Sequence, residues 1–159
     1  MTWRSSTTTV SDRIFACLPY LLPLIEGLML GRFIFAQFPE LQVVLIPIYP
    51  ILQLYSSIPF AGLIIFFALL LLVVRNPSIS HFIRFNTMQA IMIDIIIIVS
   101  SLILNLLGNG LSTGLIGETV NNVLFLGMIA AVGYSVVQSA LGRYAEIPTI
   151  SDAVNLQVR

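Results

Sequence analysis

Four apolar runs, residues 14–38, 58–74, 87–107 and 119–141, contain only three charged residues between them: Glu26, Arg32 and Asp94. A hydrocarbon core about 30 Å thick needs about 20 apolar residues of helix. Inside it every backbone N–H and C=O must be satisfied within the protein, which leaves helices or closed barrels. These runs are continuous rather than alternating, so helices are expected. Composition agrees: 58% of residues are hydrophobic, 9% are charged and the mean hydropathy is +1.02. Soluble domains carry about a quarter charged residues. The formal net charge is zero, which argues against a nucleic-acid partner.

The expected fold is an all-α membrane protein with four transmembrane helices. A re-entrant or interfacial segment follows the first, and an interfacial helix precedes the third. Residues 1–13 form a polar N-terminal tail, with Ser11 as the expected helix N-cap. Residues 14–141 form the membrane domain, and residues 142–159 form a polar C-terminal tail. The N-terminal residues read as retained, since the first apolar run is broken by prolines and offers no small-residue cleavage site. In the first span Pro19, Pro23, Gly27 and Gly31 recur every four residues, a line that kinks a helix or lets a neighbour approach closely. Residues 41–55 are apolar but broken at Pro47 and Pro50, too short for a full crossing. Residues 78–85 are expected at the interface, with Phe82 and Phe85 dipping inward.

Orientation follows from arginine, which supplies all seven Lys and Arg residues. Arg4 and Arg13 precede span one, Arg75 and Arg84 lie between spans two and three, and Arg143 and Arg159 follow span four. The other two loops contain none. Four spans with both termini on the basic, cytoplasmic-type side satisfy the positive-inside rule.

The candidate functional residues are the polar ones at membrane depth. On a helix, Thr87, Ala90, Asp94, Ser101 and Asn105 share one face of span three, opposite Met92, Ile96 and Ile103. Intramembrane ionisable groups are costly and mark functional positions by default. Asp94 and Glu26 are therefore candidate channel-lining residues, with Thr87, Ser101 and Asn105. The alternative for Asp94 is a carboxyl satisfied by a neighbouring helix. Arg32 is expected to extend to the outer interface. His81, Arg84, Asn86 and Gln89 form a polar cluster at the start of span three, a candidate docking motif. Gly127, Ala131, Ser135 and Ser139 form a four-residue ladder of small side chains suited to helix packing, with Gln138 near the same face. The chain has one cysteine, Cys17, expected as a small buried hydrophobe, so no internal disulfide is possible. His81 has no second His or Cys to make a metal site. No cofactor is indicated. Gly110 to Gly114 fits G-x-S-x-G, but that motif needs a strand before it and a helix after it.

Residues 80–94 (SHFIRFNTMQAIMID), together with DRIFACLPYLLPL at 12–24, SIPFAGLIIFF at 57–67 and Glu146-Ile147-Pro148 near the end, resemble the Tic-twenty family. RFNTMQA, residues 84–90, is the most specific part. The family comprises four-span subunits of the chloroplast inner-envelope protein-import translocon and their cyanobacterial relatives. The resemblance implies a translocon subunit that forms or lines a preprotein-conducting channel. It also implies partners among other translocon subunits and translocating precursors, assembly as a homo-oligomer or larger complex, and no catalytic residues. The expected location is the plastid inner envelope for a plastid-encoded chain, or a cyanobacterial membrane. Two alternatives stand beside it: a small-solute or cation/proton transporter built on Glu26 and Asp94, and a non-conducting assembly scaffold.

Overall fold

The structure, a computed structural model, describes residues 7–108 and 114–158. Every regular element among the described residues is helical. Six are distinguished here: α1 (Val10–Gln37), α2 (Pro39–Ser57), α3 (Ala61–Val74), α4 (His81–Leu106), α5 (Gly114–Ala140) and α6 (Ile150–Gln157). Three of them, α1, α4 and α5, are long and apolar enough to cross a membrane, and a fourth crossing is available if the bent pair α2–α3 counts as one span.

Thr9, not Ser11, caps α1. Its hydroxyl accepts from the Asp12 N–H while the Asp12 carboxylate accepts from the Thr9 N–H, a reciprocal capping box. The helix then tightens twice into 3-10 turns, Leu18–Tyr20 and Leu28–Gly31, at the proline and glycine line read from the sequence. Pro19 lacks the N–H an α-turn would use, which accounts for the first. The line also faces a neighbour. Gly27 lies against Met128 and Gly31 against the Phe125 ring of α5, with no room for a Cβ at either position.

After Phe38 the chain turns into α2, which is 3-10 from Pro39 to Ile48 and α-helical from Tyr49 to Ser57. Most of its side chains are exposed, including Val43, Val44, Ile46 and Leu54. It meets α3 at a bend of 98°. Phe60 takes a left-handed φ of 58° at that corner. α3 is 8 residues of α-helix and 6 of π-helix. At 1.5 Å per residue that reaches only about 20 Å. Its end carbonyl at Val74 accepts a hydrogen bond from the Arg84 Nε at 2.8 Å, satisfying one of the orphan acceptors of a helix terminus.

No separate interfacial helix precedes the third apolar run. Residues 75–80 form a turn, Ser80 caps α4, and α4 continues unbroken for 26 residues. Phe82 and Phe85 point inward as expected and are buried. α4 is the central element. One face packs Ala90, Ile93 and Ile97 against Tyr20 and Leu30 of α1 and Phe125, Met128 and Val132 of α5. Another packs Phe85, Met88 and Ile91 against Val74 of α3 and the C-terminal Val154 and Val158. In the C-terminal segment, α6 and Val158 fold back against α4. Residues 109–113, which hold most of the G-x-S-x-G match, lie outside the described residues.

Three ties gather one end of the molecule. Ser80 donates to Asp12, Thr8 and Arg13 lie against Gly142, and His81 bonds Tyr144 and the Val158 carbonyl. The start of α1, the α3–α4 turn and the C-terminal segment thus share one face, with Arg13, Arg75, Arg84 and Arg143 nearby in sequence.

A candidate polar site inside the bundle

The fully enclosed polar side chains fall in two groups. The first surrounds Asn86 and Gln89, one turn apart on α4 and both 0% exposed. Asn86 Oδ1 accepts from the Tyr20 hydroxyl at 2.9 Å and the Ser139 hydroxyl at 2.7 Å, while its Nδ2 donates to the Phe82 carbonyl. Gln89 Nε2 donates to the Tyr20 oxygen at 3.2 Å and the Ser135 oxygen at 3.1 Å. Gln89 Oε1 accepts from Ser151 at 2.9 Å, and Ser151 accepts the Ile147 N–H. One connected network thus joins α1, α4, α5 and α6.

Asn86 and Gln89 are committed to internal bonds, so they present nothing to a docking partner. Arg84 donates to the Val74 carbonyl, and only His81 of that cluster is exposed. The small-residue ladder of α5 does not act as one surface either. Gly127 faces open space, whereas Ser135 and Ser139 are buried as hydrogen-bond partners of α4. Close helix approach comes from Gly27 and Gly31 instead. Gln138 reaches Tyr134 on its own helix rather than span three.

The second group lies deeper. Asp94 is 1% exposed, and its Oδ1 has no hydrogen-bond partner among the described residues. Glu26 of α1 is half-buried, lies within electrostatic range of Asp94, and accepts a hydrogen bond from the Tyr55 hydroxyl of α2. Gly62 of α3 lies directly against both the Tyr55 hydroxyl and the Glu26 carboxylate, where any side chain would collide. Four elements therefore converge on two carboxyl groups. Of the remaining predicted stripe, Thr87 is enclosed with an unpartnered hydroxyl, Ser101 is half-buried and Asn105 is exposed. The stripe leaves the bundle after Asp94, while α5 stays against a different side of α4 at Ser100, Leu104 and Leu107. Asn105 accordingly has no protein cavity to line among the described residues.

A cavity of about 690 Å³ runs beside this group between α1, α2 and α3. Its walls are almost wholly aliphatic, with Tyr55 and Thr87 as the polar exceptions. Arg32 is exposed and stacks over Phe33 at 4.6 Å. Cys17 is half-buried and donates weakly to the Val136 carbonyl. Outside the membrane-embedded part, partial burial against Phe82 and Phe85 raises the Tyr144 phenol above its ordinary pKa, although 38% of the residue stays exposed. No group of three His, Cys, Asp or Glu residues able to hold a metal ion occurs among the described residues.

Sequence reasoning missed Tyr20, Tyr55 and Ser151. Tyr20 stands as an isolated hydroxyl in apolar surroundings, whereas Tyr55 sits beside Ser56 and Ser57. Ile150, Val154 and Val158 repeat every four residues in the last segment, a helical period that marks a buried face.

The family described as "Chloroplast import apparatus Tic20-like" matches residues 8–154, from just before the cap of α1 into α6. The chain belongs to the Tic20 (Tic-twenty) family. Its relatives include a Tic20 family protein of Synechocystis, 51% identical and covering 98% of both chains. Protein TIC 20-II, chloroplastic, of Arabidopsis thaliana is 38% identical over 95% of this chain and 74% of its own length. The Tic20 family protein Ycf60 of Porphyra purpurea is 35% identical over 96% and 78%. The Tic20 match therefore includes every element that meets at Asn86, Gln89 and Asp94.

Proposed function

We propose that this chain is a membrane subunit of a protein-import translocon that guides a precursor along its α1–α2–α3 groove, with the conduit completed by further copies or other subunits. The observation that carries this reading is the groove itself, an apolar recess of about 690 Å³ lined in part by Tyr55, which donates to Glu26. The family description and the chloroplast names of its plant relatives support the import assignment. The closed packing around Asn86 and Gln89 favours a wall shared between subunits over a conduit through one bundle. In this reading α2 lies along the interface and residues 58–74 form the second, short span. The clustered arginines face the stroma or cytoplasm with both termini. The host membrane is the plastid inner envelope or its cyanobacterial counterpart.

The test is site-specific photo-crosslinking to an arrested precursor, from Leu54 and Ile65 in the groove and from Leu102 on the exposed side of α4. Capture from the groove positions alone supports the reading. Capture only of other membrane subunits makes the protein a scaffold beside the path. The partnerless Asp94 oxygen beside Glu26 favours one competing reading, a cation- or proton-coupled transporter. Reconstituted Asp94→Asn protein that loses ion flux while still importing precursors would establish that second activity.

A further inference from the structure

A second recess, of about 600 Å³, lies on the opposite side of α1, against the last turns of α5. That volume is within the about 300–1,000 Å³ typical of small-molecule sites. Its body is apolar, formed by Ile14, Leu21 and Leu24 of α1 and Val132, Val136 and Ala140 of α5. Its mouth is cationic. Arg13 lines it, and Arg13 Nε is held by the Thr8 hydroxyl at 3.3 Å.

The mouth is shaped by the chain turn that ends α5. Gly142 adopts φ +74°, and the position a Cβ would take there is 3.0 Å from Arg13 Nε and 3.1 Å from its Cζ. A residue with a side chain would be strained at that φ and would displace the guanidinium. The glycine therefore seats Arg13 on the end of α5, beside the exposed Arg143. Arg13 thus stands at the mouth of an apolar recess, and the exposed Arg143 follows Gly142 directly in the chain.

We infer that this recess binds an anionic glycerolipid, its headgroup at Arg13 and Arg143 and an acyl chain along α1 and α5. The charge is complementary, since guanidinium groups pair with phosphate or sulfonate oxygens in fork geometry. The depth is also right: arginines at the polar end of membrane helices lie at headgroup level, and basic recesses between such helices select anionic lipids. The groove beside α3 differs from this one in having no basic residue on its walls.

The experiment is native mass spectrometry and thermal unfolding of the full chain with phosphatidylglycerol or phosphatidylcholine of matched chains, and with glycerol 3-phosphate alone. The structure predicts that phosphatidylglycerol is retained about thirtyfold more than phosphatidylcholine, two arginines each contributing at the scale known for interfacial basic residues. Arg13→Gln and Arg143→Gln each reduce that ratio, and the double variant abolishes it. Ala140→Trp fills the recess and weakens retention of both lipids, while Arg75→Gln, on the α3–α4 turn, leaves the preference intact. Equal retention of the two lipids, or a preference that survives the double variant, overturns the inference. So does full stabilisation by glycerol 3-phosphate, which would mean an anion site without a chain site.

Discussion

Gln89→Met removes the centre of the polar network while nearly keeping the volume of the side chain. Three hydrogen bonds disappear: those donated to Tyr20 and Ser135 and the one accepted from Ser151. Interhelical hydrogen bonds in membrane proteins average about 0.6 kcal/mol each, so their direct loss is about 2 kcal/mol. The groups left behind fare differently. Tyr20 still donates to Asn86, and Ser151 can turn to the Ala145 carbonyl at 3.3 Å. Ser135, 0% exposed, loses its recorded partner. An unsatisfied buried hydroxyl adds about 1–2 kcal/mol, giving a total of about 3–4 kcal/mol. For a chain of this size that lowers the melting temperature by roughly 6–16 °C. The effect is measured by thermal unfolding in detergent. A second readout follows alkylation of Val154→Cys, buried on α6, in a Cys17→Ala background, because Gln89 ties α6 to α4. In that background Gln89→Met should speed labelling. A melting temperature within about 2 °C of the parent, with unchanged labelling, would refute the claim that this network holds the bundle together.

Gly31→Ala should destabilise by about 1–3 kcal/mol, because the new methyl meets the rigid Phe125 ring. Gly27→Ala should cost less, since the flexible end of Met128 can move aside; urea or thermal unfolding of both variants checks the order. Thr149 holds a φ of 71° just before α6. Thr149→Gly should therefore raise stability by about 1 kcal/mol, and unchanged or lower thermal stability would count against strain there. Tyr144, held above its ordinary pKa of 10.0 by burial, favours the protonated form in the folded state. Its contribution is thus complete below pH 10 and is lost as pH rises through the folded value. An alkaline unfolding series should show a shallower decline for Tyr144→Phe than for the parent.

The apolar runs, the helical class, the arginine asymmetry and the family were legible in the chain by itself. These properties depend on local composition: twenty apolar residues have few backbone solutions in hydrocarbon, and arginine stays at its edge. The proline and glycine line of α1 was also legible as a site of kinking or close approach, and the structure shows both. What the sequence left open was which neighbour covers which face. Asn86 and Gln89 read equally well as a docking surface until α6 and α5 are seen to enclose them. Gly127 looked like a packing residue, yet faces open space, while Ser135 and Ser139 on the same ladder point at α4. Asn105 shares a helical face with Asp94, yet Asp94 is buried and Asn105 is exposed. A side chain's chemistry fixes what partner it needs. Only the crossing and overlap of helices decides whether that partner is another side chain, the bilayer or a second protein, because burial is a property of two surfaces together and not of either one.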